Sequence, residues 1–318
     1  DGMSCARIAL DNLGITPTEY YASEVDKNAI KVSKANWSNI IHIGDVCKVR
    51  YQGGMLYTEN GEYYVGQIDL VCGGSPCQDF SSLRAMGNHG TESTGLEGIK
   101  SKLFYEFLRI KKEIETENPN LKWLLENVKM KKDSKQQLDN YLETEGKLIN
   151  SSLVSFQRRA RYYWTNINYS EIEDKNISFQ DYKQQLGLSQ YKLNRTKSRE
   201  KMWSNGIGSN SMSCANVTHA DKIYCLTTKQ DRCPNSGLVE YEDFCRYLTR
   251  RELEQAQTVP IGYTECLSYN QACAVLGNGW TVAIIAHIFE GMQKELAQQG
   301  EIDYSVVIGS IQIILTGM

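Results

Sequence analysis

The sequence predicts an α/β protein, with a larger domain built on a doubly wound, Rossmann-like parallel sheet and a smaller second domain. Two observations predict this class. Over the first 130 residues, short β-prone runs alternate with amphipathic helical stretches, and polar side chains directly follow several of the predicted strands. The composition, 41% hydrophobic and 23% charged over 318 residues, is that of a globular chain long enough for one large domain and one small one.

The first four elements follow from local patterns. Residues 5–13 have the apolar spacing of a helix, and residues 20–23 form a short β-prone run. Asp26 is placed to cap a second helix over 27–35, because its carboxylate can accept hydrogen bonds from the first free backbone N–H groups. Residues 40–43 are β-prone again.

The next elements repeat the alternation after a connection rich in Gly and Tyr. The apolar run 68–72 predicts a buried strand, 102–115 a helix, and 123–125 a further strand. Ligands of doubly wound sheets bind beyond the carboxyl ends of the strands. Residues that directly follow a predicted strand are therefore the candidate site residues.

The rest of the chain divides into a polar stretch and a structured end. Residues 166–244 are polar and rich in turn-forming residues, which predicts the small second domain. Residues 249–252 have the S/T-x-x-E form of a capping box, and 280–298 predict a strong helix. The apolar tail 304–318 is shorter than the roughly 20 residues of a membrane span, and we expect a β-prone segment that pairs or frays.

Composition narrows the class of partner. The 35 basic and 38 acidic residues give a formal net charge of −3, so a nucleic acid would have to be bound by a local basic patch. The ten cysteines contain no CxxC pair and the four histidines do not cluster beside them, which predicts reduced thiols and no metal site. With no secretory signal, we expect an intracellular protein.

Four chemically capable residues follow predicted strands: Glu24, Asp45, Cys77 and Glu126. Glu24 comes 22 positions after Gly2. An acid about 20 residues after a glycine turn binds ribose hydroxyls in dinucleotide folds. An ordinary surface carboxylate is an equally open interpretation of Glu24.

Cys77 follows Gly-Gly-Ser-Pro at the end of an apolar strand, on a tight turn at the predicted functional edge. Backbone N–H groups at such a turn can lower a thiol pKa and favour the nucleophilic thiolate. The alternative is a buried structural cysteine. The following loop, 81–98, contains four glycines and suggests a lid.

A basic run lies in the polar stretch. Between residues 183 and 202 six basic side chains face a single acidic one, Glu200, and Tyr191 and Trp203 interrupt or flank the run. Basic residues with interleaved aromatics are typical of a site for a phosphate backbone. A solvated charged surface is the alternative.

Five segments, taken together, resemble the motifs of the DNA cytosine-C5 methyltransferases, in the same order along the chain. The wording at 22–25 and 103–107 is most similar to phage-encoded members and to the animal de novo enzymes. The segments are Gly-Gly-Ser-Pro-Cys-Gln-Asp-Phe-Ser at 73–81, Glu-Asn-Val at 126–128, Gln-Arg-Arg-Ala-Arg at 157–161, Arg-Tyr-Leu-Thr at 246–249 with Glu252, Gln257 and Pro260, and Gly-Asn-Gly-Trp-Thr-Val at 277–282.

The resemblance implies methyl transfer from S-adenosyl-L-methionine to C5 of a cytosine flipped out of duplex DNA. It implies that the Cys77 thiolate attacks C6 of that cytosine and that Glu126 hydrogen-bonds N3 and the exocyclic amine. Arg161 would hold O2, and Arg159 would lie beside the nucleophile.

The resemblance also implies two sets of binding residues. The cofactor set is Gly2, Ser4, Glu24 for the ribose, Asp45 for the adenine amine, Ser75, Pro76, the Leu103 backbone, Asn278 and Trp280. The set for DNA is Gln78, Ser81, Lys192, Arg195, Lys197 and Arg199.

The implied organisation is a catalytic domain formed by 1–165 and 246–318, with a target-recognition domain over 166–245. The expected partner is duplex DNA, without a membrane or a metal, and the enzyme is expected to be monomeric. The cytoplasm of a bacterial or phage-infected cell is the expected location, with a nuclear location also open.

Two departures from the family matter. The family's first motif runs through an apolar strand, central in its sheet, into Phe-x-Gly-x-Gly, whereas this sequence begins at Asp1 and has Ser4 at the second glycine. We therefore expect the sheet to lack its central strand, which puts cofactor affinity in doubt. Two alternative functions stay open: methylation of transfer RNA, and a catalytically silent DNA-binding relative.

Overall fold

The computed structural model describes residues 1–74, 102–193, 216–231, 235–241, 244–298 and 312–316. The chain divides into two compact units that alternate along the sequence. Unit 1 comprises Asp1–Ile149, Ala160–Ser170 and Ala286–Met318, and unit 2 comprises Asn150–Arg159 and Glu171–Ile285. Most of the predicted target-recognition domain lies in unit 2, as does the stretch 246–285 that we assigned to the catalytic domain. The functional division itself stays a prediction.

A seven-stranded sheet lies in unit 1, and five adjacent strands of it run parallel. The neighbouring strand on one side runs antiparallel, which adds a mixed edge to the predicted sheet. The α/β, Rossmann-like class is confirmed. In spatial order the strands are β2 (Ile40–Gly44), β1 (Glu19–Ser23), β12 (Gln312–Thr316), β6 (Leu70–Gly74), β7 (Lys122–Val128), β9 (Ala160–Thr165) and β8 (Lys147–Asn150).

The predicted helices form, with ends shifted by a few residues. Asp26 caps the second helix as expected, because its carboxylate accepts hydrogen bonds from the backbone N–H groups of Asn28 and Ala29. The helices are α1 (Cys5–Asn12), α2 (Lys27–Asn36), α3 (Lys102–Glu117), α4 (Lys132–Leu142), α5 (Arg250–Ala256), α6 (Tyr269–Asn278) and α7 (Val282–Gln298).

A small antiparallel sheet occupies the connection that we left without structure. Its strands are β3 (Arg50–Gln52), β4 (Met55–Thr58) and β5 (Gly61–Tyr64). Gly53 and Gly54 join the first two strands with φ angles of 60° and 72°. Two consecutive residues at positive φ match the twist of a hairpin, so the Gly-Gly pair was an available signal.

The core of unit 1 forms between α3 and the sheet. The buried side chains of α3 recur at helical spacing, with Phe104, Phe107 and Ile114 on the inner side. They belong to the same buried cluster as Val71 of β6 and Trp123 of β7. This packing supports the two strands whose carboxyl ends approach the candidate site.

The strand β12 corrects the expectation that the sheet lacks its central strand. It lies between β1 and β6 and pairs in parallel with both. The β-prone tail therefore pairs, and it fills the position that we expected to be empty.

The helical stretch Tyr269–Glu295 is long and apolar enough to cross a membrane by length and composition alone. Its most apolar window is 72% buried inside the protein, and Gly279 separates α6 from α7 within it. Buried side chains such as Ile285 and Phe289 give this stretch the character of core helices.

Unit 2 contains an ion pair that is fully buried. The guanidinium of Arg246 in β11 (Cys245–Tyr247) binds both carboxylate oxygens of Glu252 in α5 at 2.8 Å, and both side chains are 0% exposed. The same two side chains bind the backbone of Gln184, whose carbonyl accepts from Arg246 and whose N–H donates to Glu252. Thr249 completes the predicted capping box with Glu252.

Removing one partner of this pair should strongly destabilise unit 2, because it leaves a buried charge without compensation. We expect Arg246→Ala to lower the free energy of unfolding by about 3–5 kcal/mol, and Arg246→Lys to have an intermediate effect because it loses the two-pronged geometry. Urea unfolding followed by circular dichroism measures the change. Lys48→Ala, which removes the exposed pair with Glu59, is the control and should leave the midpoint nearly unchanged. Equal effects of Arg246→Ala and Lys48→Ala would contradict the assignment.

Candidate active site

Two acidic residues of the predicted site lie side by side at the carboxyl edge of the sheet. Ser23 at the end of β1 is in register with Gly44 at the end of β2, so Glu24 and Asp45 follow neighbouring strands. Their proximity results from parallel pairing, which brings the ends of both strands to the same edge.

Glu24 is buried and organises the backbone around it. Its exposed fraction is only 3%, and its carboxylate accepts hydrogen bonds from the N–H groups of Gly2, Val25 and Asp26 at 2.7–2.8 Å. A carboxylate has about four acceptor positions, so there is capacity for a further donor. The ordinary surface carboxylate that we kept as an alternative does not fit this burial.

Asp45 combines a local role with an available oxygen. Its Oδ1 accepts from the Cys47 N–H at 2.9 Å, and its own N–H donates to Glu59. No hydrogen bond to Asp45 Oδ2 is found within the described ranges of the chain. That oxygen can accept from an amine such as that of adenine.

Ser4 adopts a backbone conformation that favours glycine. It has φ 66° and ψ 41°, in the left-handed region, at the start of α1. The residue is fully buried, and its hydroxyl lies 2.6 Å from Asp1 Oδ2 and 2.8 Å from Ser33 Oγ. Glycine in the resembling motif thus corresponds to a real conformational requirement, which Ser4 meets at the cost of some strain.

Glu126 and Arg161 meet as predicted for two residues that contact the same base. Glu126 lies at the end of β7, in register with Gly74 of β6, and its Oε1 is 3.1 Å from Arg161 Nε on β9. The Glu126 and Arg161 side chains are 10% and 15% exposed, respectively, so the pair is largely shielded from water. The segment that leads to Cys77 begins directly beside Glu126, because it continues from Gly74.

Arg159 is buried within unit 2 and holds a turn. Its guanidinium donates to the carbonyls of Leu226, Gly277 and Gly279 at 2.9–3.3 Å, and its Nη1 lies 3.5 Å from Cys225 Sγ. These contacts fix the turn on both sides of Asn278, which is itself exposed. The expected place of Arg159 beside the nucleophile stays a prediction.

A second buried side chain supports the same turn. Gln257 donates to the carbonyls of Leu276 and Gly279 and accepts from the Thr281 hydroxyl. Gly277 is required for close approach, because an added Cβ would lie 2.6 Å from the Thr227 backbone. Arg159, Gln257 and Gly277 form a support that sequence reasoning found as motif residues without their structural roles.

The remaining predicted residues divide by location. Leu103 lies in the first turn of α3, where backbone N–H groups have no partner in the helix, and Trp280 is half-buried after the turn. Lys192 is exposed, with its ammonium 4.3 Å from the centre of the Phe244 ring. Eight predicted residues lie outside the described residues: Ser75, Pro76, Cys77, Gln78, Ser81, Arg195, Lys197 and Arg199.

The comparisons with known proteins agree with this architecture. The model of the family "C-5 cytosine-specific DNA methylase" matches residues 1–152. The matched region holds Glu24, Asp45, the Cys77 segment and Glu126. The resemblance is confirmed, and this part of the chain belongs to the C-5 cytosine-specific DNA methylase family.

Individual relatives match over different lengths. DNA (cytosine-5)-methyltransferase DRM2 of Oryza sativa is 35% identical over 34% of this chain and 18% of DRM2. Type II methyltransferase M.HpaII of Haemophilus parainfluenzae is 24% identical over 89% of this chain and 85% of M.HpaII. The structure of the Entamoeba histolytica methyltransferase EhMeth covers 93% of this chain and 96% of its own, with a TM-score of 0.65 at 14% identity, which shows the shared fold.

The chain spans less than a third of the length of several of the curated relatives it matches, between 18% and 27% for three of them.

Replacing Ser4 should separate backbone strain from hydrogen bonding. Ser4→Ala keeps the left-handed conformation without the hydroxyl contacts, whereas Ser4→Gly relieves the strain. We expect the glycine variant to be more stable than the alanine variant by about 1 kcal/mol, because non-glycine residues disfavour this region. Urea unfolding of both variants beside the parent measures the order. An alanine variant as stable as the glycine variant would refute the strain.

Proposed function

We propose that the chain transfers a methyl group from S-adenosyl-L-methionine to C5 of a cytosine in duplex DNA. The observation that carries the proposal is the shielded Glu126–Arg161 pair beside the Gly73–Gly74 end of β6. A carboxylate and a guanidinium held together next to the segment of a candidate nucleophile can bind the polar edge of one pyrimidine. The confirmed family supports cytosine as that base.

The residues at the other end of the edge fit the cofactor. A buried carboxylate with remaining acceptor capacity, Glu24, suits ribose hydroxyls, and the Asp45 Oδ2 suits an adenine amine. A Cβ at Gly2 would meet nothing within 4 Å, so there is open space beside the glycine. Glu24, Asp45, Gly2 and the Leu103 backbone are the residues of unit 1 that would hold S-adenosyl-L-methionine, which supplies an electrophilic methyl group when bound.

The chemistry of the chain's own residues follows from cytosine's electronic structure. A thiolate adds to C6 readily only if the negative charge that develops on the ring is stabilised. In this proposal Cys77 supplies the thiolate and Glu126 hydrogen-bonds N3 and the exocyclic amine. Arg161 donates to O2 while holding Glu126 in place. A base then removes the C5 proton, and the Cys77 sulfur leaves.

Arg159 and Asn278 enter the proposal indirectly. The buried guanidinium of Arg159 fixes the turn that carries Asn278, an expected cofactor residue. A partly wrong position of that turn would weaken cofactor binding while leaving the Glu126–Arg161 pair intact. We therefore propose a positioning role for Arg159 in addition to its expected place beside the nucleophile.

The substrate is tested by direct competition. Purified protein is incubated with methyl-labelled S-adenosyl-L-methionine and either duplex DNA or total transfer RNA, and methylated DNA positions are mapped by bisulfite sequencing. Label at C5 of cytosine in DNA supports the proposal. Label in transfer RNA alone would replace it with the transfer RNA alternative, and DNA binding without label would favour the silent relative. A monomeric, cytoplasmic enzyme is part of the proposal, and sizing of the purified protein tests the monomer.

Two substitutions should separate the nucleophile from its acid partner. We expect Cys77→Ala to abolish methyl transfer, because no covalent adduct can form, while cofactor binding persists. Glu126→Gln should slow transfer by a factor of about 100 or more, the range for lost acid–base assistance. Initial rates on duplex DNA measure both, and Glu62→Gln on the exposed β5 strand is the matched control. Substantial turnover by Cys77→Ala would overturn the covalent mechanism.

The basic run should control affinity without changing the site. Neutralising Arg195, Lys197 and Arg199 to Gln should weaken binding to all duplexes alike and reduce the slope of log affinity against log salt by about 0.9 per lost phosphate contact. Lys183 is left out because its ammonium already binds the Gln180 side chain and the Thr218 carbonyl.

The matched control for this experiment is the neutralisation of three exposed lysines of unit 1, Lys31, Lys34 and Lys112. It changes the net charge equally and should leave the slope unchanged. Identical slopes for both triple variants would mean that the basic run is a solvated surface. A changed methylation site would mean that the run reads bases rather than phosphates.

A further inference from the structure

The strand β12 brings the end of the described chain into the middle of the sheet. Its register pairs Gln312 with Glu19 of β1, and Thr316 with both Ser23 of β1 and Gly73 of β6. A strand with a neighbour on each side shares backbone hydrogen bonds with both. Without β12, β1 and β6 would each present an unpaired edge in the interior of the sheet.

The carboxyl end of β12 coincides with the candidate cofactor edge. Thr316 is in register with Ser23, the residue directly before Glu24. On its other side it is in register with Gly73, which precedes the Ser75–Cys77 segment by two positions. The strand therefore separates, and aligns, the acid for the ribose and the start of the catalytic segment.

The beginning of the sequence lies at the same edge. The Asp1 nitrogen donates to the Ser23 carbonyl at 3.1 Å, and the Gly2 N–H donates to Glu24 at 2.7 Å. Helix α1 starts three residues later, at Cys5. A strand, a glycine turn and a helix thus follow one another in space, although the strand comes last in the sequence and the helix first.

We propose that β12 is the central strand of the cofactor site, in the place held by the first strand of the resembling family, and that binding of S-adenosyl-L-methionine depends on it. The identity of the ligand rests on the proposed function. The place of the strand does not, so the two can fail separately.

Amide hydrogen exchange of the full chain tests the strand without any ligand. Ile314→Pro removes a backbone donor from the middle of β12, whereas Ile314→Val keeps the donor and the branched side chain. We expect peptides from β1 and β6 to lose protection in the proline variant and to keep it in the valine variant. Peptides from α5, in unit 2, report that the rest of the chain still folds. Unchanged protection of β1 and β6 in the proline variant would overturn the proposal.

Cross-linking tests the register itself. Cys72 of β6 is a free, buried cysteine opposite position 315, and Val71 is opposite position 314. Cα atoms of directly paired strand residues fall within the range that a disulfide can bridge. Leu315→Cys should therefore form a bond to Cys72 within one chain on prolonged mild oxidation, whereas Ile314→Cys should not. Burial raises the Cys72 pKa well above its ordinary value, so the oxidation is run slowly at alkaline pH.

The cross-link and cofactor affinity distinguish the outcomes. Peptide mapping that joins 72 to 315 within a monomer supports the proposal, and a bond between two chains, or none, overturns it. Calorimetric titration with S-adenosyl-L-methionine should show binding to the parent and to Ile314→Val, with a marked loss for Ile314→Pro. Equal affinity of all three proteins would refute the cofactor dependence. If the parent itself binds no S-adenosyl-L-methionine while the exchange and cross-link results hold, the proposed function fails and the strand assignment stands.

Discussion

Parallel pairing of β2, β1, β12, β6 and β7 is the constraint on which the candidate site of unit 1 depends. It delivers Glu24, Asp45, Gly74 and Glu126 to one edge of the sheet, although they are far apart in sequence. Hydrogen bonding within the sheet thus converts four local sequence signals into one surface. A shift in the register of any strand would move one residue relative to the others by a full residue spacing or more.

A different principle organises unit 2, where buried polar side chains bind backbone carbonyls. Arg159 and Gln257 both donate to the turn around Asn278, and neither is more than 3% exposed. Carbonyls of a turn have no partners of their own, so side chains that reach them remove a cost of burial and fix the conformation. The motif residues of this unit therefore hold backbone in place, and their exposed neighbour Asn278 is left available for binding.

Local patterns predicted the α/β class, most helices and the acidic strand ends, because caps, apolar periodicity and strand-end chemistry are properties of short segments. The Asp26 cap and the Thr249–Glu252 capping box formed as expected. The place of β12 could not be predicted in this way, since an apolar tail such as Ile313–Leu315 carries no record of which strands it will pair with. The contacts of Arg159 were equally out of reach, because Leu226, Gly277 and Gly279 approach it only after folding.

The anchor of Arg246 and Glu252 on residue 184 uses only the main chain of that residue. Its carbonyl and its N–H are the groups bound, so any amino acid with a backbone N–H could stand there without loss of the contact. The polar stretch that begins at this point is therefore tied down at a position that imposes almost no restriction on its wording. Such an attachment lets the stretch diverge, or be exchanged between related chains, while the buried pair continues to fix where it starts.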